Sequence, residues 1–319
     1  MDVFDDLLRG VHGQGAVFGR SALRPPWSLR FRSGRRRTDG AFLTLCIPMR
    51  GSAWIVPHEG EARRVSEGEA AVVQGPEPFT LTDDPNADRS AVRRDVYCLG
   101  DGEAGPGAED GLDAQTVVLA AAYDVREQVP RRLLQALPAV LVVPDENEEC
   151  AALRGYLETQ LVCGRPGRQI VLDRLLDWLL VCTLRDWFDL PEAAPPRWYR
   201  ALGDEVVGPA LRAMHGDPAH AWTTASLAAR GGTSRSTFAK RFTDVVGEGP
   251  MAYLTGWRMT LAADLLRRPE MTVAAVARRV GYADAFGFSA AFKRVQGVSP
   301  TAYRRSPVEE PEETVTPAG

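Results

Sequence analysis

The chain has 319 residues, enough for two domains of ordinary size, each burying its own core. Its composition is globular, 45% hydrophobic and 25% charged, and no run of eighteen apolar residues occurs, which excludes a membrane-spanning helix. The net charge of −4 conceals an asymmetry: residues 217–305 carry thirteen Lys and Arg against six Asp and Glu, the tail beyond them carries four Glu, and residues 1–216 carry −7. A basic segment joined to acidic ones is expected when one part of a protein meets phosphate and the rest does not.

The opening run MDVFDDLLRG lacks the basic end and apolar stretch of a signal peptide, so the cytoplasm is the expected compartment. Residues 1 to about 120 read as short strands, among them FLTLCIPM (42–49), SAWIVP (52–57), EAAVVQ (69–74) and QTVVLAAAY (115–123), separated by Gly, Pro and Asp clusters. This pattern predicts a small β-barrel or sandwich, with DGEAGPGAEDG (101–111) as a mobile loop. Two helical patterns follow. In 148–163, Leu153, Tyr156, Leu157 and Leu161 recur at helical spacing, and 169–188 is apolar on nearly all sides, so either intrachain core or a dimer interface must cover it. The Pro-rich LPEAAPP (190–196) marks a domain boundary.

The final segment contains a repeat about fifty residues long, LAARGGTSRSTFAKRF (227–242) and VARRVGYADAFGFSAAFKR (276–294). In each copy an Ala precedes a Gly by four residues, Ala228 with Gly232 and Ala277 with Gly281, as a close helix pair with a tight turn requires. Ser234 and Asp284 stand where a second helix needs an N-cap, and Phe238 with Phe242 and Phe288 with Phe292 fall on one buried stripe. Between the copies, PMAYLTGWRMTLAADLLRR (250–268) predicts a linker helix roughly 28 Å long, a spacing suited to placing two recognition helices in successive major grooves.

Helix periodicity then selects the faces opposite the phenylalanines. In the first copy these are Ser236, Lys240 and Thr243, with Ala239 at the border, while Arg235 and Arg241 suit phosphate contacts. In the second they are Phe286, Ala290 and Lys293, with Ser289 at the border and Arg294 suited to phosphate; Phe286 either faces the groove or folds into the core. Trp222, Trp257 and Tyr303 are expected in the core.

WTTASLAARGGTSRSTFAKRF, GEGPMAYLTGWRM, VARRVGY and FKRVQGVSPTAYRR together resemble the DNA-binding domain of the AraC/XylS family of transcription regulators. FGRSALRPPWSLRF, MRGSAWIV and GPEPFTLTDDP resemble, more loosely, the cupin-like sensor domains that precede such modules. The resemblance implies an α+β chain: a cupin-like β-barrel with a helical dimerisation hairpin over 1–189, a linker over 190–202, two helix-turn-helix units joined by a linker helix over 203–305, and a disordered acidic tail over 306–319. It implies double-stranded DNA and RNA polymerase as partners, an unidentified small-molecule effector and a homodimer, with no membrane and no cofactor. Ala290 and Gly256 depart from the family, which often has polar or basic residues there. His58 stands alone in VPHEGE and Phe79 replaces a histidine in GPEPF, so a metal-binding cupin is not expected. No paired histidines, nucleophile triad or phosphate loop supports an enzyme. Five scattered cysteines, Cys46, Cys98, Cys150, Cys163 and Cys182, argue against a disulfide framework or zinc site; a thiol switch at Cys46 or Cys98 is the alternative regulator, and it requires an exposed thiol of lowered pKa.

Overall fold

The computed structural model describes residues 11–13, 19–32, 41–75, 77–86, 94–97, 115–125, 127–134, 137–144, 148–162, 166–191, 193 and 195–305. The 101–111 loop, Cys98, Cys163 and the 306–319 tail lie outside them. By their contacts the described residues fall into two compact units, one built from 11–125 with 137–193, the other from 127–134 with 195–305.

The first unit is β-rich. One sheet runs β1 (His12–Gly13), β10 (Thr116–Val125), β4 (Ala41–Arg50), β7 (Glu69–Gln74), β11 (Val140–Pro144), with β2 (Gly19–Leu23) also paired to β10. The other runs β6 (Arg63–Ser66), β5 (Ser52–Val56), β8 (Phe79–Thr82), β3 (Ser28–Arg32), β9 (Arg94–Tyr97). Every pairing is antiparallel except β3 with β9. Leu29 and Phe31 alternate with outward-facing polar residues and sit opposite Leu81 and Phe79, the two phenyl rings stacking with centroids 4.8 Å apart. These rings, with Trp27 and Ile55, pack against Ala71, Ala120, Ala122 and Cys46 of the other sheet, large side chains against small. The expected barrel is thus, among the described strands, two hydrogen-bonded sheets around a shared apolar layer.

The first sheet is buried on its other face as well. Leu43, Leu45, Ile47, Leu119 and Tyr123 are fully covered, which is why FLTLCIPM reads as a nearly continuous apolar run instead of an alternating one. The Tyr123 hydroxyl donates to the Leu176 carbonyl at 2.8 Å. Leu176 belongs to α3 (Arg168–Asp189), which packs against α2 (Glu148–Val162). The remaining face of this helix pair exposes Tyr156, Ile170, Val171 and Trp178.

The second unit takes up α1 (Gln128–Leu134) and then α4 (Arg197–Ala201), α5 (Val207–Gly216), α6 (Thr224–Arg230), α7 (Arg235–Val246), α8 (Pro250–Leu266), α9 (Val273–Arg279), α10 (Ala285–Gln296) and α11 (Pro300–Arg305). Residues 197–201, within the stretch read as a linker, are helical and bury Ala201. Two separate cores form along α8. Tyr253 and Leu254 near its start join Phe238, Phe242, Leu211 and Trp222, whereas Met259, Ala262, Ala263 and Leu266 join Phe288, Phe292 and Val276. No helix among the described residues is long and apolar enough to cross a membrane.

Candidate nucleic-acid interface

Each half of the second unit is built from local signals. Thr223 begins α6 with a capping box shared with Ser226, and Thr272 begins α9 by accepting from the Ala275 amide at 3.1 Å. The small side chains of Ala228 and Ala277 are buried at the helix crossing. Gly232 and Gly281 then turn the chain at φ of +63° and +83°, where L side chains are strained, and a Cβ on Gly281 would also lie 2.6 Å from the Ala219 carbonyl. Ser234 accepts from the Thr237 amide at 3.2 Å, and Asp284 Oδ1 accepts from the Phe286 and Gly287 amides at 2.8 and 2.7 Å. Both recognition-type helices, α7 and α10, are therefore started by the caps that the sequence marks. In both, the phenylalanine pair is buried with centroids 5.6 Å apart.

The opposite faces are open. On α7, Arg235, Ser236, Lys240, Arg241 and Thr243 are exposed and Ala239 is half-buried; on α10, Phe286, Ala290, Lys293 and Arg294 are exposed and Ser289 is half-buried. Phe286 is 87% exposed and does not fold into the core. Trp222 and Trp257 are buried and Tyr303 half-buried against Phe292. The hydroxyls of Thr243 and Ser289 bond back to the Ala239 and Ala285 carbonyls of their own helices at 2.9 and 2.7 Å.

Arg241 has an intramolecular partner. Its Nε and Nη2 reach Asp204 Oδ2 at 2.9 and 2.7 Å, while Oδ1 of the same carboxylate accepts from the Val206 and Val207 amides at the start of α5. Burial pushes the Asp204 pKa up, but these amides and the guanidinium outweigh it and hold the carboxyl below the usual range. Asp204 thus ties α7 to α5, a role that sequence reasoning missed, although GDEV, an Asp just ahead of an apolar run, is an N-cap signal. Arg258 of α8 donates to the Pro218 and His220 carbonyls between α5 and α6 at 2.7 and 2.8 Å, and in the other half Arg304 of α11 donates to the Leu266 and Met271 carbonyls at 3.2 and 2.6 Å.

In the β-rich unit, clefts of about 390 and about 270 Å3 adjoin at Pro57, His58 and Pro78. Val73, Phe79 and Ala139 line the first, Arg30, Arg32 and Thr80 the second. His58 is exposed, and among the described residues no three His, Cys, Asp or Glu side chains converge as metal ligands. Cys46 is fully buried in the apolar layer, and burial beside Cys182 and Asp186 pushes the Cys150 thiol up to about 12. Neither thiol is exposed as a redox switch needs, and Cys98, the other candidate, lies outside the described residues.

Two recognition-type helices carried in tandem on one linker helix, behind a β-rich unit with ligand-sized clefts, define a DNA-binding transcription regulator with a sensor domain. Residues 2–189 match the model of a cupin family and residues 227–306 that of a helix-turn-helix domain. The chain belongs to the AraC family of regulators. It is 33% identical over 96% of its length to 99% of an AraC-like transcription regulator of Streptomyces lividans, and 34% identical over 79% of its length to 83% of one from Streptomyces antibioticus. Over 54% of its length it is 41% identical to 63% of the RCS-specific activator RclR of Escherichia coli. Its role is regulatory and not enzymatic.

Proposed function

We propose that the helix-turn-helix unit reads two DNA half-sites unequally, with base discrimination concentrated on α7. The carrying observation is the contrast between the two exposed faces: α7 offers the Ser236 hydroxyl and the Lys240 ammonium, whereas α10 offers Phe286 and Ala290, which have no side-chain donors. Lys is suited to guanine edges; an aromatic ring or methyl group contacts only apolar features such as the thymine methyl. Thr243 and Lys293 lie on these faces as well, Lys293 near the C-terminal end of α10 as the one side-chain donor of that face, Ala239 and Ser289 border them, Arg235 and Arg294 take phosphates, and Arg241 reaches phosphate only by sharing or leaving Asp204. A saturation binding selection across both half-sites tests this: higher information content opposite α7 is expected, and equal content in the two halves would refute it.

The remaining assignments rest on the same division of labour. Residues 1–189 form the sensor, 190–202 the connection and 203–305 the DNA-reading part, which recruits or blocks RNA polymerase. The sensor takes an organic effector. Supporting this, the indole N–H of Trp27 is buried between the sheets with no acceptor among the described residues, a group that an effector carbonyl or hydroxyl would satisfy. A homodimer forms through the outer face of α2 and α3, where Ile170 and Trp178 stand 67% and 55% exposed beside Tyr156, more apolar surface than a solvated helix pair ordinarily presents.

A further inference from the structure

The segment 127–134 interrupts the β-rich unit in sequence but belongs by its contacts to the DNA-binding unit. It leaves β10, the long strand that pairs with β1, β2 and β4, and returns as β11 beside β7. Between them, α1 packs against α8 with Val129, Pro130 and Leu134 buried. The first amides of a helix have no carbonyl within the helix to bond. Here they are met from a distant part of the chain: the Gln128 amide donates to Asp264 Oδ1 at 2.6 Å and the Val129 amide to Asp264 Oδ2 at 3.1 Å.

Asp264 lies in the last turn of α8, flanked by Ala263, which faces the second core. Its own side chain points away from that core, to the α1 amides. No local rule requires a carboxylate there, since α8 is neither started nor ended by it. We propose that Asp264 is a positioning residue of the linker helix: its carboxylate clasps α1 as a strap on α8, and fastening or release of the strap carries a change in the β10–β11 region to the helices that read DNA.

Two physical features fit a strap that works under tension. The N-terminal end of α1 lies three residues after β10, so a displacement of β10 acts on the helix start that Asp264 holds. The clasp also holds its charge against burial. Burial raises the Asp264 pKa to about 6 and Glu127 adds to this, against the two amides and Arg267, which lower it. The ionised carboxylate is therefore held at a desolvation cost that exposure would relieve. Because coupling between two equilibria is reciprocal, a strap that alters the DNA-reading helices must itself respond to DNA.

The inference rests on the DNA-binding reading of the second unit, and its test separates the two. Hydrogen exchange and duplex affinity are measured on the full chain as the native protein, Asp264→Ala and Asp264→Asn, with a mixed-sequence duplex at low salt as probe. Asp264→Ala should speed exchange across 128–134 by about tenfold or more, leave α7 and α10 protected as in the native chain, and shift duplex affinity by about threefold or more. Asp264→Asn, which keeps one carbonyl acceptor but turns an NH2 donor toward the second amide, should fall between the native chain and Asp264→Ala on both measures. Unchanged exchange in Asp264→Ala, equal loss in both variants, or faster exchange with unaltered duplex affinity would overturn the proposal. Absence of any duplex binding by the native chain would instead strike the DNA-binding reading, while exchange in the variants still decides whether the clasp exists.

Discussion

Replacing Lys240 and Arg241 separately by Ala should separate reading from holding at adjacent positions of α7. Lys240 is exposed and makes no contact with the core, and Ala is the better helix former, so Lys240→Ala should leave the thermal midpoint unchanged or slightly raised. Loss of a guanine-edge contact costs roughly 1 to 3 kcal/mol, or about five- to 150-fold in affinity, and that loss should fall on one or two base positions. Arg241→Ala removes the partner of Asp204. The guanidinium is 57% exposed, so solvent screening limits the ion pair to about 1 kcal/mol of stability. Its removal should therefore lower the midpoint and weaken binding to all sequences similarly. The assay is thermal unfolding together with binding to a panel of singly substituted duplexes at several salt concentrations. Uniform loss across the panel for Lys240→Ala, or a lowered midpoint for that variant, would refute the division between the two residues.

Three further outcomes follow from the geometry. Gly281→Ala should destabilise the second half by about 2 kcal/mol or more, since it meets both a positive φ and the Ala219 carbonyl, and calorimetry of the full chain reads it directly. The pH dependence of Asp264 has a definite sign. Its folded pKa of about 6 lies above the ordinary 3.8, so the stability linked to its protonation is fully present below about 3.8 and is lost as the pH rises through about 6. Relative to Asp264→Asn, the native chain should thus lose about 3 kcal/mol between pH 3.5 and pH 7 in denaturant unfolding, and a difference that grew in its favour would contradict the burial. Trp178→Asp should shift sedimentation toward monomer while leaving the fold intact, because the ring is 55% exposed in the single chain.

Much of the second unit was legible because its signals are local. Ser234, Asp284, Gly232, Gly281 and the phenylalanine pairs act within about ten residues of one another, and each has one physical use at its spacing. The long strands β4 and β10 were legible as apolar runs. Short strands such as β3 and β8 were not, because SLRFR and FTLT carry only two inward residues each and become strands by pairing with one another. The exposed faces of α7 and α10 could be assigned by angle alone, but the angle could not reveal that Arg241 is already engaged, since Asp204 lies 37 residues away. Asp264 was least legible of all. A lone carboxylate within a helix looks like a solvated charge, and its amide partners stand more than 130 residues earlier in the chain.

The two cores strung along α8 have a consequence for how such a chain tolerates change. Each half closes its own apolar interior, and the two meet where Gly281 approaches Ala219, so a substitution buried deep in one core leaves the apolar packing of the other in place. The helix between them has no such freedom. Adding a single residue to α8 would advance the second half by about 1.5 Å and swing it by about 100°, whereas one base pair of duplex turns only about 35°. The two cores are therefore held in phase by the length of α8, which substitutions within either core leave unchanged and any insertion or deletion in the helix alters.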